Sequence, residues 1–307
     1  MTDTRKPIVV VGSITMDLVT RTPRIPAIGQ TLIGTGFETT PGGKGANQAV
    51  AAARLGARVA MVAKVGDDVY GPALVENLHQ SGVDTTGMMQ TSGSSGLAPM
   101  FVAENGLNAI VVVPGANSKM DRAAVGDHAE LIRSAGMVLC QLEIPMDTLS
   151  YTLEFCASAG VPVMLDPAPA ADLPEAVWRQ VNWFTPNETE AAHYVGDGTD
   201  AADIAKRLLA KGLRGVVLKR GGEGAYVALE DGRAAWVKPF KVDAIDTVAA
   251  GDCFNGAFAV ALLEGKDPWE AARFANAAAA ICVTRKGAAA SMPTRVEVDE
   301  FLRTHNE

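Results

Sequence analysis

Short apolar segments alternate with amphipathic segments along most of this 307-residue chain. The apolar runs have the length of strands and are apolar enough to be buried on both faces; they span 8–12, 59–66, 137–143, 161–167, 183–187 and 215–221. The segments between them have helical periodicity and end in glycine; they span 45–56, 69–82, 146–160 and 200–212. Such alternation is typical of a parallel sheet covered by helices. We therefore predict an α/β fold with a mainly parallel central sheet and helices on both faces. Because no long linker or repeat occurs, we expect a single domain over residues 1–307.

Two stretches interrupt this alternation. Residues 13–42 combine proline, glycine and threonine with short alternating segments, and residues 94–117 have the pattern of a hairpin that turns at Glu104, Asn105 and Gly106. Each stretch is too short to fold alone, so we expect them to pair into a small β-sheet lid, formed by segments of about 13–42 and 95–115. A simple extension of the main sheet at its edge is the alternative.

Charge and composition exclude several classes of protein. The formal net charge of −8 argues against non-specific binding of nucleic acid. No apolar stretch approaches the roughly 18 residues of a membrane-spanning helix, and the apolar run at 8–12 is too short for a signal-peptide core. The four cysteines form no CxxC pair and the four histidines have no ligand spacing, so a zinc site or disulfide framework is not expected. A cytoplasmic protein is the expectation.

Polar residues collect where predicted strands end. The residues at or just past a strand are Asp17, Glu143, Asp166, Asn187 and Glu188. The carboxyl ends of parallel strands meet at one edge of a sheet, which is where such folds bind ligands. The sequence therefore predicts a binding site at this edge.

The segment DTVAAGDCFNGAF (246–258) places Asp246 and Asp252 on either side of very small residues, just where a helix begins. Two interpretations are open. Asp252 is either a helix cap, or a reactive carboxylate beside N–H groups of the first helical turn that hold a phosphate.

Two further helix starts carry polar residues. PGGKGAN (41–47) has three glycines in four positions, with Lys44 and Asn47 placed to contact a ligand that bears hydroxyls. TPNETE (185–190) has Asn187 as a candidate N-cap with Glu190 three residues later, the pattern of a capping box. Together with Asp252, these two residues could also hold hydrated magnesium. The chain has no P-loop, GxGxxG or GxSxG motif.

Together these segments resemble the ribokinase-like carbohydrate kinase superfamily, over essentially the whole chain. Residues 41–57 resemble its first signature and 242–262 its second, while LDPAPA, TPNETEA and VTRKGAAASMPT follow in the expected order. GGKGANQA with QLE narrows the resemblance toward the ribokinases. It implies an enzyme that phosphorylates the 5-hydroxyl of D-ribose with ATP, giving D-ribose 5-phosphate and ADP. It also implies a magnesium requirement, activation by potassium, and a homodimer formed through the lid.

The resemblance also assigns roles to individual residues. Asp252 would be the catalytic base, and the anion hole would be formed by Ala249, Ala250 and Gly251. Sugar contacts would fall on Thr15, Asp17, Gly43, Lys44, Gly45, Asn47, Glu143 and Asp252. Nucleotide contacts would fall on Asn187, Glu190, Lys219, Gly221, Gly222, Gly224, Gly251 and Asn276. A monovalent cation would be held by the side chains of Asp246 and Ser291 and the carbonyls of Val248, Cys282, Arg285 and Gly287.

Three positions depart from the family pattern. Thr15 stands where a well-known form of the motif has asparagine, so at least one hydrogen bond to the sugar must differ. Lys219 stands where threonine is common; it adds a phosphate contact or points to solvent, and solvent is the preferred expectation. Asp166 stands where asparagine is common, and no catalytic role is expected for it.

Two kinds of alternative function stay open. One is a kinase of the same fold acting on 2-deoxyribose, another sugar, a nucleoside or a sugar phosphate. The other is a sugar-binding regulator without turnover, which would be expected to lack the base or the anion hole, whereas both are present here.

Overall fold

A nine-stranded sheet and a separate four-stranded sheet organise the computed structural model, which describes residues 6–198 and 200–305. In chain order the strands are β1 (Ile8–Val11), β2 (Thr15–Thr22), β3 (Gly36–Gly42), β4 (Val59–Gly66), β5 (Val83–Thr91), β6 (Gly96–Ala103), β7 (Asn108–Ile110), β8 (Met137–Cys140), β9 (Val163–Leu165), β10 (Trp183–Phe184), β11 (Gly215–Lys219), β12 (Ala225–Leu229) and β13 (Ala234–Val237). The large sheet has the order β13-β12-β11-β10-β9-β8-β1-β4-β5. Its strands are parallel from β11 to β5, and only β12 and β13 are antiparallel to their neighbours.

Helices cover both faces of the large sheet. They are α1 (Lys44–Arg54), α2 (Gly71–Gln80), α3 (Arg122–Asp127), α4 (Ala129–Ser134), α5 (Met146–Ala159), α6 (Glu175–Trp178), α7 (Glu188–Val195), α8 (Ala201–Leu209), α9 (Ala250–Leu263), α10 (Pro268–Val283) and α11 (Arg295–Thr304). Side chains of a strand alternate between faces, so Ile8 and Val10 of β1 pack in the core with α1, α9 and α10, while Val9 and Val11 pack with α5 and α8. The predicted α/β class with helices on both faces is confirmed. The two chain ends of the predicted domain (1–307) lie outside the described residues.

The two interrupting segments form the second sheet, in the order β3-β2-β6-β7. The hairpin of β6 and β7 turns at residues 104–106, as predicted. Because this sheet is separate from the large one, the alternative of an extended main-sheet edge is wrong. Asn117 ties its base to the domain: the side chain accepts a hydrogen bond from Ile14 N (3.0 Å) and donates one to Ile14 O (2.9 Å).

The antiparallel hairpin of β12 and β13 was not predicted. Its turn contains Asp231 and Gly232, and Leu229 N donates to Arg233 O across it (2.9 Å). An Asp-Gly pair between apolar runs is a strong hairpin signal, so the sequence does carry the information.

All four cysteines are free and buried. Within residues 6–198 and 200–305, no helix has the length and apolar character needed to span a membrane.

Candidate active site

Helix α9 begins within the small residues of the segment DTVAAGD, where no side chain covers the backbone N–H groups. Ala249, which precedes the helix, has a left-handed backbone (φ 59°), and no side chain caps the helix. The first N–H groups of the helix therefore lack partners within it. Asp252, in the third position, does not cap the helix; its carboxylate accepts hydrogen bonds from Asn47 Nδ2 (3.0 Å) and Gln48 Nε2 (3.1 Å). The helix-cap interpretation is wrong, and the geometry is that of a buried carboxylate beside a helix N-terminus.

Helix α1 brings its polar residues to the same place. Lys44, Asn47 and Gln48 are three and four residues apart and so lie on one face of the helix. The glycines before it are required by close packing. A Cβ on Gly43, which has φ 90°, would lie 2.8 Å from Ile14 Cα, and a Cβ on Gly42 would lie 2.7 Å from Asp17 Oδ2.

A second group of polar side chains lies at and beside a cavity of about 310 Å³ between the small sheet and the large one. Thr15 Oγ1 donates to Asp17 Oδ1 (3.3 Å), and Lys44 N donates to Glu143 Oε2 (3.1 Å). Ser13 Oγ also donates to the Glu143 carboxylate. Thr15 and Glu143 line the cavity together with apolar residues that include Val112, Leu142 and Ile144. Polar groups on an apolar wall suit a small ligand with several hydroxyls.

Burial changes the acidity of these groups. It raises the pKa of Asp17 to about 6, against the hydrogen bond from Thr15. It also raises the pKa of Asp252 to about 6, against the opposing effect of the Lys44 ammonium. Burial disfavours the charge on Lys44 as well, but the carboxylates of Asp252, Asp166, Glu143 and Glu190 outweigh it and hold the pKa of Lys44 above its usual value. The ammonium is therefore a permanent cation among acids.

The predicted capping box at the start of α7 is confirmed. Asn187 Oδ1 accepts from Glu190 N (2.8 Å), and Glu190 Oε2 accepts from Asn187 N (2.8 Å). Burial raises the pKa of Glu190. Among the described residues, no group of three or more His, Cys, Asp or Glu side chains could hold a metal ion by itself. Magnesium at this place stays a prediction.

Lys219 does not point to solvent, so that expectation is wrong. Its side chain is 14% exposed, and its Nζ lies 3.1 Å from Oδ1 of Asp166, a buried carboxylate. The side chain of Lys219 therefore points into the site.

Glu188 is one of the residues predicted to lie at a strand end. It does not join the buried group: its side chain is half exposed and pairs with Arg220 at 3.0 Å.

Two of the remaining predicted nucleotide residues, Asn276 and Gly224, lie against the chain where it leaves β13. Asn276 Nδ2 donates to Val237 O (3.2 Å) and Lys238 O (3.0 Å). A Cβ on Gly224 would lie 2.2 Å from Val237 O, so this turn requires glycine. Gly221 and Gly222 form a single 3₁₀ turn just before it. Their contacts with a nucleotide stay predictions.

The predicted cation residues come together behind the α9 N-terminus. Asp246 Oδ1 accepts from Val248 N and Oδ2 from Gly287 N, both at 3.0 Å. Ser291 Oγ donates to Ala288 O (2.7 Å) and lies 3.0 Å from Cys282 Sγ. Asp246 thus connects the turn before α9 to the turn after α10, while the ion itself stays a prediction.

Sequence reasoning missed three buried side chains that organise the site. Ser13 holds Glu143, and Gln48 holds Asp252 and, through the same Nε2, Asp166 Oδ2 (2.9 Å). Gln141 Nε2 donates to Gln48 Oε1 (2.8 Å). Gln48 was detectable, because it lies four residues after Lys44 on the same helical face.

The chain is similar to known proteins over nearly its whole length. Residues 5–295 match the family model described as "pfkB family carbohydrate kinase". The chain is 45% identical to a ribokinase of Bacillus subtilis (strain 168), over 96% of this chain and 99% of that protein. It is 37% identical to a deoxyribokinase of Salmonella typhi, over 96% and 98% of the two chains. Among solved structures, it resembles an Arabidopsis thaliana ribokinase complexed with ribose and ATP (TM-score 0.92, 33% identity, covering 97% of this chain and 99% of that chain).

Proposed function

Because the chain belongs to the pfkB family of carbohydrate kinases, we propose that it is a ribokinase, which transfers the γ-phosphoryl group of ATP to the 5-hydroxyl of D-ribose. The products are D-ribose 5-phosphate and ADP. The observation that carries this proposal is the buried Asp252 carboxylate beside the first N–H groups of α9, which lack acceptors within the helix and have no side-chain cap.

In the reaction, Asp252 accepts the proton of the sugar hydroxyl as its oxygen attacks the γ-phosphorus. The bond from that phosphorus to the β,γ-bridging oxygen breaks, and ADP leaves with the bonding electrons. The N–H groups of Ala249, Ala250 and Gly251 donate to oxygens of the transferring group. Donors fixed in place before the reaction stabilise this charge without reorganisation. Bulky side chains here would obstruct the approach of the phosphate.

The polar side chains at and beside the cavity bind the sugar. Asp17 and Glu143 accept hydrogen bonds from its hydroxyls, while Lys44 and Asn47 donate to its oxygens. The small sheet, which carries Thr15 and Asp17, acts as a lid over the sugar and excludes water from the reaction.

Magnesium fits the charge of this site. Five carboxylates (Asp17, Glu143, Asp166, Glu190 and Asp252) and two ammonium groups meet here, so an ATP anion enters a negative site. Magnesium, when bound, would lower this repulsion by neutralising part of the phosphate charge. Asn187 and Glu190 hydrogen-bond to each other, so they would hold the ion through water.

Potassium fits the donors behind the anion hole. Asp246 and Ser291 offer oxygen atoms, and carbonyls of the adjoining turns complete a set of hard ligands suited to this ion. When bound, potassium supplies a fixed positive charge there. Asp246 itself braces the turn before α9 through Val248 N and Gly287 N.

Two broader proposals concern the whole protein. The exposed apolar side chains of the small sheet support a homodimer formed through the lid. The four buried thiols support a reducing compartment, the cytoplasm.

A panel of sugars assayed for ADP release tests the substrate. We expect ribose to give the highest kcat/KM. The second candidate is 2-deoxyribose, which is favoured by Thr15: its hydroxyl is already engaged with Asp17 and offers the sugar no amide. If kcat/KM is higher for 2-deoxyribose, then 2-deoxyribose and not ribose is the substrate. If no sugar leads to ADP release, the kinase proposal is rejected.

A further inference from the structure

Lys219 and Asp166 form a buried ion pair across the short strand β10. Lys219 is the last residue of β11, and Asp166 follows β9, so one strand of two residues lies between them. The Nζ to Oδ1 distance is 3.1 Å, and the two side chains are 14% and 3% exposed. The Lys219 backbone is fixed as well, because its N–H donates to Pro186 O (2.8 Å).

The ammonium of this pair lies at the proposed anion hole. A Cβ built on Gly251 would lie 3.4 Å from Lys219 Nζ, which is ordinary contact distance. The ammonium has three N–H donors, and Asp166 is the acceptor found for it within residues 6–198 and 200–305. Two donors are therefore left for a ligand at the start of α9.

One amide connects this pair to the base. Gln48 Nε2 donates both to Asp166 Oδ2 (2.9 Å) and to Asp252 Oδ1 (3.1 Å). Lys219, Asp166, Gln48 and Asp252 thus form one continuous chain of contacts, with the anion hole between its two ends.

We propose that Lys219 is a catalytic residue that donates hydrogen bonds to the transferring phosphoryl group, and that Asp166 is the positioning residue that holds its ammonium there. This inference rests on the proposed kinase function. The lysine takes no part in the proton transfer: the hydroxyl proton goes to Asp252, the new bond joins the sugar oxygen to the γ-phosphorus, and the leaving group is ADP. The ammonium adds a point charge to the neutral N–H donors, and charge-assisted hydrogen bonds are about twice as strong as neutral ones.

The competing explanation is that Lys219 only neutralises Asp166. A buried carboxylate without its partner is strongly destabilising, so a loss of activity in Lys219→Met alone would not separate the two roles. Removing both charges does separate them. In Lys219→Met/Asp166→Asn the counter-ion role is no longer needed, whereas a catalytic cation is still missing.

The experiment compares Lys219→Met, the double variant and Lys64→Met with the wild type. Lys64 is a matched control, because it is 15% exposed and lies 3.0 Å from Asp121 Oδ2, outside the site. We expect Lys219→Met to lower kcat by roughly 10²–10³-fold, the range seen when one donor to a developing charge is removed. It should also lower the Tm. The double variant should recover the Tm but not kcat, and Lys64→Met should lower the Tm while keeping kcat.

Nucleotide affinity tests the contact between Lys219 and the γ-phosphate without turnover. By calorimetry, Lys219→Met should bind the non-hydrolysable analogue AMP-PNP about tenfold or more weakly than the wild type while binding ADP equally well, because only AMP-PNP carries a γ-phosphate. Asp166→Asn, which keeps the ammonium but loosens it, should reduce the preference for AMP-PNP over ADP by a smaller factor.

Three outcomes would overturn the proposal. A double variant with kcat within threefold of the wild type would make Lys219 a counter-ion only. Equal weakening of AMP-PNP and ADP would place its contact away from the γ-phosphate. An unchanged nucleotide preference in Asp166→Asn would remove the positioning role. If the wild type instead phosphorylates no sugar, the kinase proposal fails by itself, and the binding comparison still decides whether Lys219 contacts the γ-phosphate.

Discussion

At the scale of single residues, the environment of Asp252 explains how a carboxylate becomes a base near neutral pH. Burial makes the charged form costly, and Asn47 and Gln48 donate hydrogen bonds that retain part of the charged form's stability. The resulting pKa of about 6 is nearer to the operating pH than that of an exposed aspartate, which suits proton transfer.

Asp252→Asn tests the base directly. The change keeps the size of the side chain but removes the proton acceptor, so kcat should fall by roughly 10²–10⁴-fold. Ribose and ATP should still bind, as measured by calorimetry, because the other proposed sugar contacts, among them Asp17, Lys44 and Glu143, are unchanged. Turnover within threefold of the wild type would contradict the assignment of Asp252.

The pH dependence of kcat/KM reports the same group. Protonated Asp252 cannot accept the hydroxyl proton, so kcat/KM for ribose should fall below about pH 6, tenfold per pH unit. Asp17 has a similar pKa, so the profile should also be measured in Asp17→Asn. If the acidic limb persists there, it belongs to Asp252; its disappearance would assign it to Asp17.

Asp17 should also lower stability at neutral pH. The pKa of Asp17 is about 6 in the folded state, above the ordinary 3.8, so the folded state holds this proton more tightly than the unfolded state does. The stability gained in this way is fully present below pH 3.8 and is lost as the pH rises through 6. This amounts to up to about 3 kcal/mol. Asp17→Asn, which keeps the acceptor for Thr15, should therefore have a higher Tm than the wild type at pH 8, and the difference should shrink toward pH 4. A difference independent of pH would contradict the raised pKa.

The residue scale is also where sequence reasoning was least complete. The strand-end argument predicted that Asp17, Glu143 and Asp166 would lie at one edge. It could not predict that Lys219 reaches Asp166, because the sequence predicts a longer strand between them, at 183–187, whereas β10 spans only Trp183–Phe184. A lysine at the end of a strand is expected to face solvent when the positions of the neighbouring strands are unknown.

At the scale of elements, the decisive feature is the turn before α9. Its direction is set by the left-handed Ala249, a conformation that disfavours a residue with a Cβ by about 1–2 kcal/mol. Asp246 compensates by tying the turn to Gly287, and Val283 O accepts from both Ile245 N (2.7 Å) and Asp246 N (3.1 Å). The small residues of this segment predicted the helix start correctly, but they carry no signal for the left-handed turn.

Replacing the monovalent cation tests the bracing of this turn. Exchanging potassium for sodium or tetramethylammonium at constant ionic strength should lower kcat several-fold and leave the KM for ribose nearly unchanged. The reason is that donor placement affects the transferring group more than the bound sugar. Asp246→Asn should blunt the response to potassium. Equal rates in the three salts would eliminate the cation site.

At the scale of the whole molecule, the large sheet and the small one were predictable to different degrees. Long apolar runs such as Val59–Gly66 read directly as buried strands and were found with the correct bounds. The small sheet was detectable only because its segments broke the alternation. Its pairing follows from registers between distant strands, for example Thr20 of β2 opposite Phe37 of β3 and Phe101 of β6.

The register of the small sheet places exposed aromatic side chains on the same face. Phe37 and Phe101 flank Thr20 on one face of the small sheet and are 66% and 41% exposed; Ile110 of β7, opposite Met100, lies on the other face and is 50% exposed. A lid with so much exposed apolar surface is expected to be covered by a partner. A second copy of the chain supplies a matching surface, because a twofold interface uses the same patch on both subunits.

Phe101→Glu tests the lid dimer by placing an unpaired charge in the proposed interface, where its burial is costly. The wild type should sediment as a dimer in analytical ultracentrifugation, and Phe101→Glu as a monomer at the same concentration. Val296→Glu is the matched control, since Val296 is 72% exposed on α11, away from the lid, and should leave the dimer intact. A monomeric wild type, or a Phe101→Glu variant that stays dimeric, would contradict assembly through the lid. Dissociation by both variants equally would mean that added charge, and not its position on the small sheet, separates the subunits.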